Sequence, residues 1–284
     1  MVDVSVVWNK RVKTASWKIF CYILLILISI IMIMPFLWMV STSLKDLGKV
    51  FTFPPRWIPE EPIWSHYVDV WKQVPMLRWY GNSTFVTLAI TFGQLLTSSL
   101  AAYAFARMEF PGRDQIFLIY LATLMLPFHV RVIPLFSILS KLGWLNTYKA
   151  LIIPQLANPF GTFLLRQFFL TIPRDLEDAA IIDGCSRFRI YSRIIIPLSK
   201  PALATLATFV FMGIWNQFFW PLIVTSTPKM RTLAVGLALF KGRFSTDWPL
   251  LMTASVIVLI PSLVVFVFNQ RFFTKGILLG GVKG

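Results

Sequence analysis

Residues 172–197 read IPRDLEDAAIIDGCSRFRIYSRIIIP, a charged stretch between two apolar runs. Pro173 suits the first turn of a helix. Asp175, Glu177 and Asp178 put negative charge where the helix dipole is positive, and Gly184 can end the helix in a left-handed conformation. A helix over 173–183 would be roughly 16 Å long at 1.5 Å per residue, too short for a hydrocarbon core of about 30 Å. It also carries the carboxylates of Asp175, Glu177, Asp178 and Asp183, so it belongs outside the lipid. Leu176, Ala179 and Ala180 share one face, and small alanines let another backbone come close. Arg187, Arg189 and Arg193 follow before Ile194, Ile196 and Pro197 restart the apolar chain. The whole stretch reads as an elbow that binds a partner.

What surrounds the elbow is membrane protein. With 57% hydrophobic and 14% charged residues and a mean hydropathy of +0.71, the chain is too apolar for a water-soluble domain. Six runs are long enough to span, at 19–40, 83–106, 115–139, 150–170, 201–223 and 248–270. Backbone groups in lipid must be satisfied internally, so the expected fold is an all-α integral membrane protein with six transmembrane helices. The first run is too long for a signal-peptide core and reads as a retained helix. The net charge of +15 divides between two membrane faces and points to lipid anchoring, not to nucleic acid. Neither Cys21 nor Cys185 is placed to form a disulfide or a metal site.

The pattern Asp178, Ala179, Ala180, then Asp183 and Gly184, then Ile194, Ile196 and Pro197 resembles the EAA signature of inner-membrane permease subunits of binding-protein-dependent ABC importers. Asp178 stands where Glu is usual and Cys185 where Ala is usual; both changes keep the carboxylate and the steric profile. FLLRQFF at 163–169, WNQFFWP at 215–221 and the closing Gly281, Val282, Lys283, Gly284 extend the similarity to sugar permeases of the maltose type. The resemblance implies a type I ABC importer permease fold and a multi-pass place in the inner membrane with both termini cytoplasmic. It implies a cytoplasmic tail at 1–18 and one transmembrane domain over 19–284, which includes the coupling loop 172–197 and a cytoplasmic tail 271–284 reaching into the ATPase dimer. The implied partners are a homologous second permease, two ATP-binding subunits that carry ATP and magnesium, and an external solute-binding protein, with no cofactor on this chain. Coupling would fall to Asp178, Ala179, Ala180, Asp183, Gly184, Ile194 and Pro197.

Pathway candidates come from polar residues inside the apolar runs. In MLPFHVRVIP, Pro127 and Pro134 bracket His129 and Arg131, and ionisable groups in a span are functional candidates. On a straight helix from Gln115, Arg131 would sit about 24 Å along and could instead snorkel to the outer interface. Asn158 lies where Pro154, Pro159 and Gly161 interrupt the fourth run, and interrupted helices line solute cavities in transporters. Trp215, Asn216 and Gln217 form a polar-aromatic cluster that suits a polyol or, equally, interhelical hydrogen bonding. Ala89, Gly93, Thr97 and Ala101 make a small-residue packing stripe in the second run, and the tryptophans of 41–80 suit an interfacial cap or a partner surface.

No GxxxxGK[ST] phosphate loop, HExxH pair or nucleophile elbow occurs, so energy must come from another polypeptide and the chain is no enzyme. A sugar, oligosaccharide or polyol is the expected cargo. Glycerol phosphate is the alternative, because permeases for it carry similar LMLP, RQFF and WNQ segments. An ATP-independent secondary transporter is disfavoured, since no carboxylate lies within any of the six runs.

Overall fold

The structure is a computed structural model that describes residues 4–238 and 246–281, with side chains over 17–238 and 246–270. In chain order the helices are α1 (Val4–Ser43), α2 (His66–Gln73), α3 (Met76–Arg107), α4 (Arg113–Ala122), α5 (Phe128–Lys141), α6 (Tyr148–Ile152) and α7 (Pro159–Leu170). They continue with α8 (Asp175–Ile182), α9 (Arg187–Ile190), α10 (Ile196–Leu198), α11 (Lys200–Trp215), α12 (Phe219–Val224), α13 (Leu233–Leu237) and α14 (Trp248–Gly281). Of the C-terminal tail, Val282–Gly284 lies outside the described residues.

Three stretches cross a membrane by length and composition as single helices: Trp17–Ser43, Met76–Arg107 and Trp248–Gln270. Two bent pairs raise the number to as many as 5 among the described residues, so several of the expected spans are broken and not straight. Prolines are responsible. Pro127 offers no N–H and holds Leu126 extended, at φ −80° and ψ 112°, so α4 with its short 3₁₀ extension meets α5 at 98°. In the run 150–170, Pro154 falls in a 3₁₀ turn over Ile153–Gln155, and α6 and α7 are each too short to span. The run 201–223 is α11 and α12, and α11 is bent by 77° from the preceding Arg187–Leu198.

By its contacts the chain divides into two compact units, Met1–Val70 with Phe240–Ile257, and Trp71–Leu239 with Val258–Gly284. In the first, α1 from Trp17 to Val40 exposes most of its apolar side chains, as a helix facing lipid must. The end of α1 is fastened by Ser43, whose carbonyl accepts from Thr253 Oγ1 at 3.2 Å and lies 2.9 Å from His66 Nδ1. Just beyond it, Lys45 is buried, donates to the Arg56 carbonyl at 2.6 Å and lies 4.0 Å over the Trp38 ring. Burial pulls its pKa below that of an ordinary lysine.

In the second unit α3 is the central post and packs on α7 and α11. Its buried face is rich in polar groups, and Asn82, Ser83, Gln94, Ser98 and Ser99 hydrogen-bond to other segments where apolar side chains alone could not fix register. Close approach is enforced by glycine: a Cβ on Gly161 would meet Ser98 Oγ at 2.8 Å, and one on Gly93 would collide with Leu156 Cδ2. The core runs through Ile90, Leu165, Phe169, Ile190, Ile195 and Leu206. Trp79, read from sequence as part of an interfacial cap, is buried and donates to the Pro228 carbonyl at 2.9 Å.

Candidate functional site

The elbow begins with α8, which is shorter at both ends than the helix expected over 173–183. Asp175, Glu177 and Asp178 do occupy its first turn. Its end is a Schellman motif: the Gly184 N–H bonds the Ile181 carbonyl at 3.0 Å, and the Cys185 N–H bonds the Ala180 carbonyl at 2.9 Å. Gly184 sits at φ +75°, a left-handed conformation that disfavours any side chain. Ser186 then caps α9, accepting from the Arg189 N–H. The chain continues through a π-helical turn at Tyr191–Ile195, then α10, to Ser199, where it bends into α11. Ile194 is half-buried and Pro197 lies exposed within α10.

The two alanines of the elbow part company. Ala180 is only 7% exposed and belongs to the core of its own unit, whereas Ala179 is exposed together with Leu176, Asp178, Asp183 and Ile182, the last at 86%. The expected common face of Leu176, Ala179 and Ala180 is thereby corrected. Position 180 anchors the helix, and Leu176, Ala179 and Ile182 form its free apolar surface.

A charged joint not foreseen from sequence holds α8 in place. Arg107, in the last turn of α3, lies with Nε 2.9 Å from Glu177 Oε1, an ion pair whose N–H is not aligned as a hydrogen bond. Its Nη2 donates to the carbonyls of Phe169 and Ile172, the latter at 2.6 Å. The side chains are 3% and 12% exposed, so one largely buried guanidinium joins the ends of α3 and α7 to the elbow. A polar cavity of about 180 Å³ lies beside it, walled by Tyr103, Arg107, Arg174, Glu177, Asp178 and Arg187. The only signal in the sequence was a basic residue closing a long apolar helix.

A larger cavity of about 670 Å³ opens where the helices break, between the α4–α5 corner and the interrupted run 150–170. Asn158, Gln217 and Arg131 line it; His129, Trp215 and Asn216 do not. His129 packs on Phe219, with ring centroids 5.0 Å apart. Trp215 is buried, donating to the Val258 carbonyl at 2.9 Å and stacking on Phe211. Asn216 is exposed and bonds the Met212 carbonyl of the preceding turn at 2.8 Å.

The amides on the wall bond to each other. Asn158 caps α7, accepting the Gly161 N–H at 3.0 Å, and donates to Gln94 Oε1 at 2.6 Å. Gln94 Nε2 donates to the Gln155 carbonyl at 2.6 Å. Gln155 and Gln217 exchange two hydrogen bonds, of 3.0 and 2.9 Å. This network closes the break in 150–170 against α3 and the loop after α11. Gln94 and Gln155 were overlooked, although an amide inside an apolar run is itself a signal. Among the described residues, no group of three or more His, Cys, Asp and Glu is placed to hold a metal ion.

Comparison with known proteins gives the following. The profile of the family described as "Binding-protein-dependent transport system inner membrane component" matches residues 94–278. The arabinooligosaccharides transport system permease protein of Halalkalibacterium halodurans is 36% identical, over 86% of this chain and 86% of its own. The sn-glycerol-3-phosphate transport system permease protein of Yersinia pestis is 36% identical, over 92% and 95%. Among solved structures, a chain of a bacterial ABC transporter involved in the import of the acidic polysaccharide alginate superposes with a TM-score of 0.83 at 23% identity, over 92% of this chain and 98% of that one.

Proposed function

Because the chain belongs to the inner-membrane components of binding-protein-dependent transport systems, and is therefore a non-catalytic ABC importer permease, we propose that it forms half of a translocation pathway for a sugar, oligosaccharide or polyol. The relative named for arabinooligosaccharides supports that class of cargo, and the one named for sn-glycerol 3-phosphate supports the alternative. The observation that carries the reading is the elbow. α8 is too short and too charged for lipid, its apolar face at Leu176, Ala179 and Ile182 is uncovered, and its root is locked to α3 by Arg107 and Glu177. A helix so mounted can move with a partner and pass that motion to the spans.

The partner is an ATPase subunit, one of two, each supplying ATP and magnesium. Asp178, Ala179 and Asp183 meet it, with Ala180, Gly184, Ile194 and Pro197 setting the shape of the elbow. A second, homologous permease and an external binding protein complete the assembly. Both termini, 1–18 and 271–284, lie on the cytoplasmic side with the loop 172–197, and 19–284 forms one transmembrane domain. Solute passes the large cavity, touching Arg131 and the outer edges of Asn158 and Gln217, and meets His129, Trp215 and Asn216 elsewhere on its way.

The test is uptake by proteoliposomes that hold the complete transporter and its binding protein. Uptake requires ATP, and the purified single chain hydrolyses none above background. Solute accumulation without nucleotide, or hydrolysis by a preparation free of other subunits, would refute the reading.

A further inference from the structure

We propose that the cargo carries an oxyanionic group and that Arg131 is the residue that recognises it, an assignment that rests on the transport reading above. Much of the neutral polar wall of the 670 Å³ cavity is already engaged. Asn158, Gln94, Gln155 and Gln217 bond to one another and to nearby backbone, and the Thr123 hydroxyl donates to the Tyr120 carbonyl at 2.7 Å. Arg131 differs. It is the one charged side chain among the described residues of the wall, no carboxylate lines the wall beside it, and its guanidinium lies 5.9 Å over the Phe128 ring.

A second feature points the same way. Arg131 lies in the first turn of α5, which has no side-chain cap and no acidic residue in that turn. The positive end of the helix dipole therefore falls on the same stretch of wall as the guanidinium, although a cation there is unfavourable for the helix itself. The 98° corner at Pro127 removes the straight-helix estimate of depth on which snorkelling rested and aims this turn at the cavity. A phosphate, sulfonate or carboxylate matches the planar fork with two parallel hydrogen bonds and neutralises a charge that is costly to leave in a membrane protein. The aromatic wall, with Phe128 and Trp220, remains for the carbon skeleton.

The assignment is tested with the complete ATP-driven transporter in proteoliposomes, using matched probes: sn-glycerol 3-phosphate against glycerol, and a galacturonic acid disaccharide against its uncharged galactose counterpart. The expected result is uptake of at least one anionic probe and of neither neutral one. Arg131→Gln should lower that uptake by about tenfold or more, and Arg131→Lys, which keeps the charge but loses the fork, should fall between. Amounts of assembled complex are measured in parallel, and if Arg131→Gln fails to assemble, the charge preference of the unmodified protein and the Lys variant decide. Uptake of a neutral probe as fast as its anionic partner, uptake of no anionic probe, or anion-selective uptake unchanged in Arg131→Gln overturns the proposal. Those outcomes leave ATP-driven transport intact, whereas ATP-independent uptake would break the transport reading itself.

Discussion

The elbow and the large cavity are both built at interruptions of apolar helix, yet they are specified in opposite ways. In the elbow each residue acts close to its own place in the chain: acids in the first turn of α8, the left-handed Gly184 at its end, Ser186 opening α9. In the cavity the residues that matter find partners about sixty positions away, as Gln94 does with Asn158 and Gln155 with Gln217. A locally specified device can be read from a window of sequence and broken by one substitution. A network specified at long range is recognisable as polar but not assignable, and its members fail together.

The joint between α3 and α8 gives the harshest test, because it is the long-range feature on which the elbow depends. Arg107→Ala strands a buried Glu177 carboxylate and two carbonyls, and should cost about 3–5 kcal/mol, read as loss of assembled complex or a large fall in its melting temperature. Glu177→Gln leaves a neutral partner and should cost less. A melting temperature unchanged by Arg107→Ala would show that the elbow stands without its anchor.

Next in size is Gly184→Val. Nothing lies within 4 Å of the added Cβ, so the penalty is backbone strain alone, of about 1–3 kcal/mol at φ +75°. The spans should fold, while uptake falls and ATPase subunits co-purify poorly. A variant that keeps its partner and transports at the unmodified rate would remove the elbow from coupling.

Asn158→Ala removes a helix cap and one network bond, and should cost about 1 kcal/mol of stability. Smallest is the Gln155–Gln217 pair. A double-mutant cycle with leucines should give a coupling of about 0.6 kcal/mol, measured by thermal unfolding of the complex. Additive effects would mean that the two amides act separately, and the contrast between elbow and cavity would lose its basis.

Those contrasts also mark how far the chain was legible beforehand. The apolar runs, the short charged helix and its glycine end follow from composition, length and punctuation, which are local. The corner at Pro127 was visible as a proline bracket, but its 98° angle depends on how α4 and α5 pack. Asn158 carried a capping signal, being an Asn directly before a proline, and capping is the role its side chain takes. The opposite fates of Ala179 and Ala180 could not be read, because which alanine faces inward is set by the rotation of α8, and Arg107 sets that rotation from seventy residues away.

The π-helical turn at Tyr191–Ile195 has a consequence for evolution by insertion and deletion. Such a turn holds one residue more than an α-helical path between the same ends. Removing any one of the five would let the stretch relax to α-helix between the same ends, so everything on its N-terminal side would keep nearly its present direction. The same deletion in the regular helix on either side would turn the exposed face of α8 by about 100° around the axis with no residue on it altered. A one-residue gap between this chain and a relative therefore leaves the aim of the elbow alone when it falls in this turn and changes it when it falls beside it.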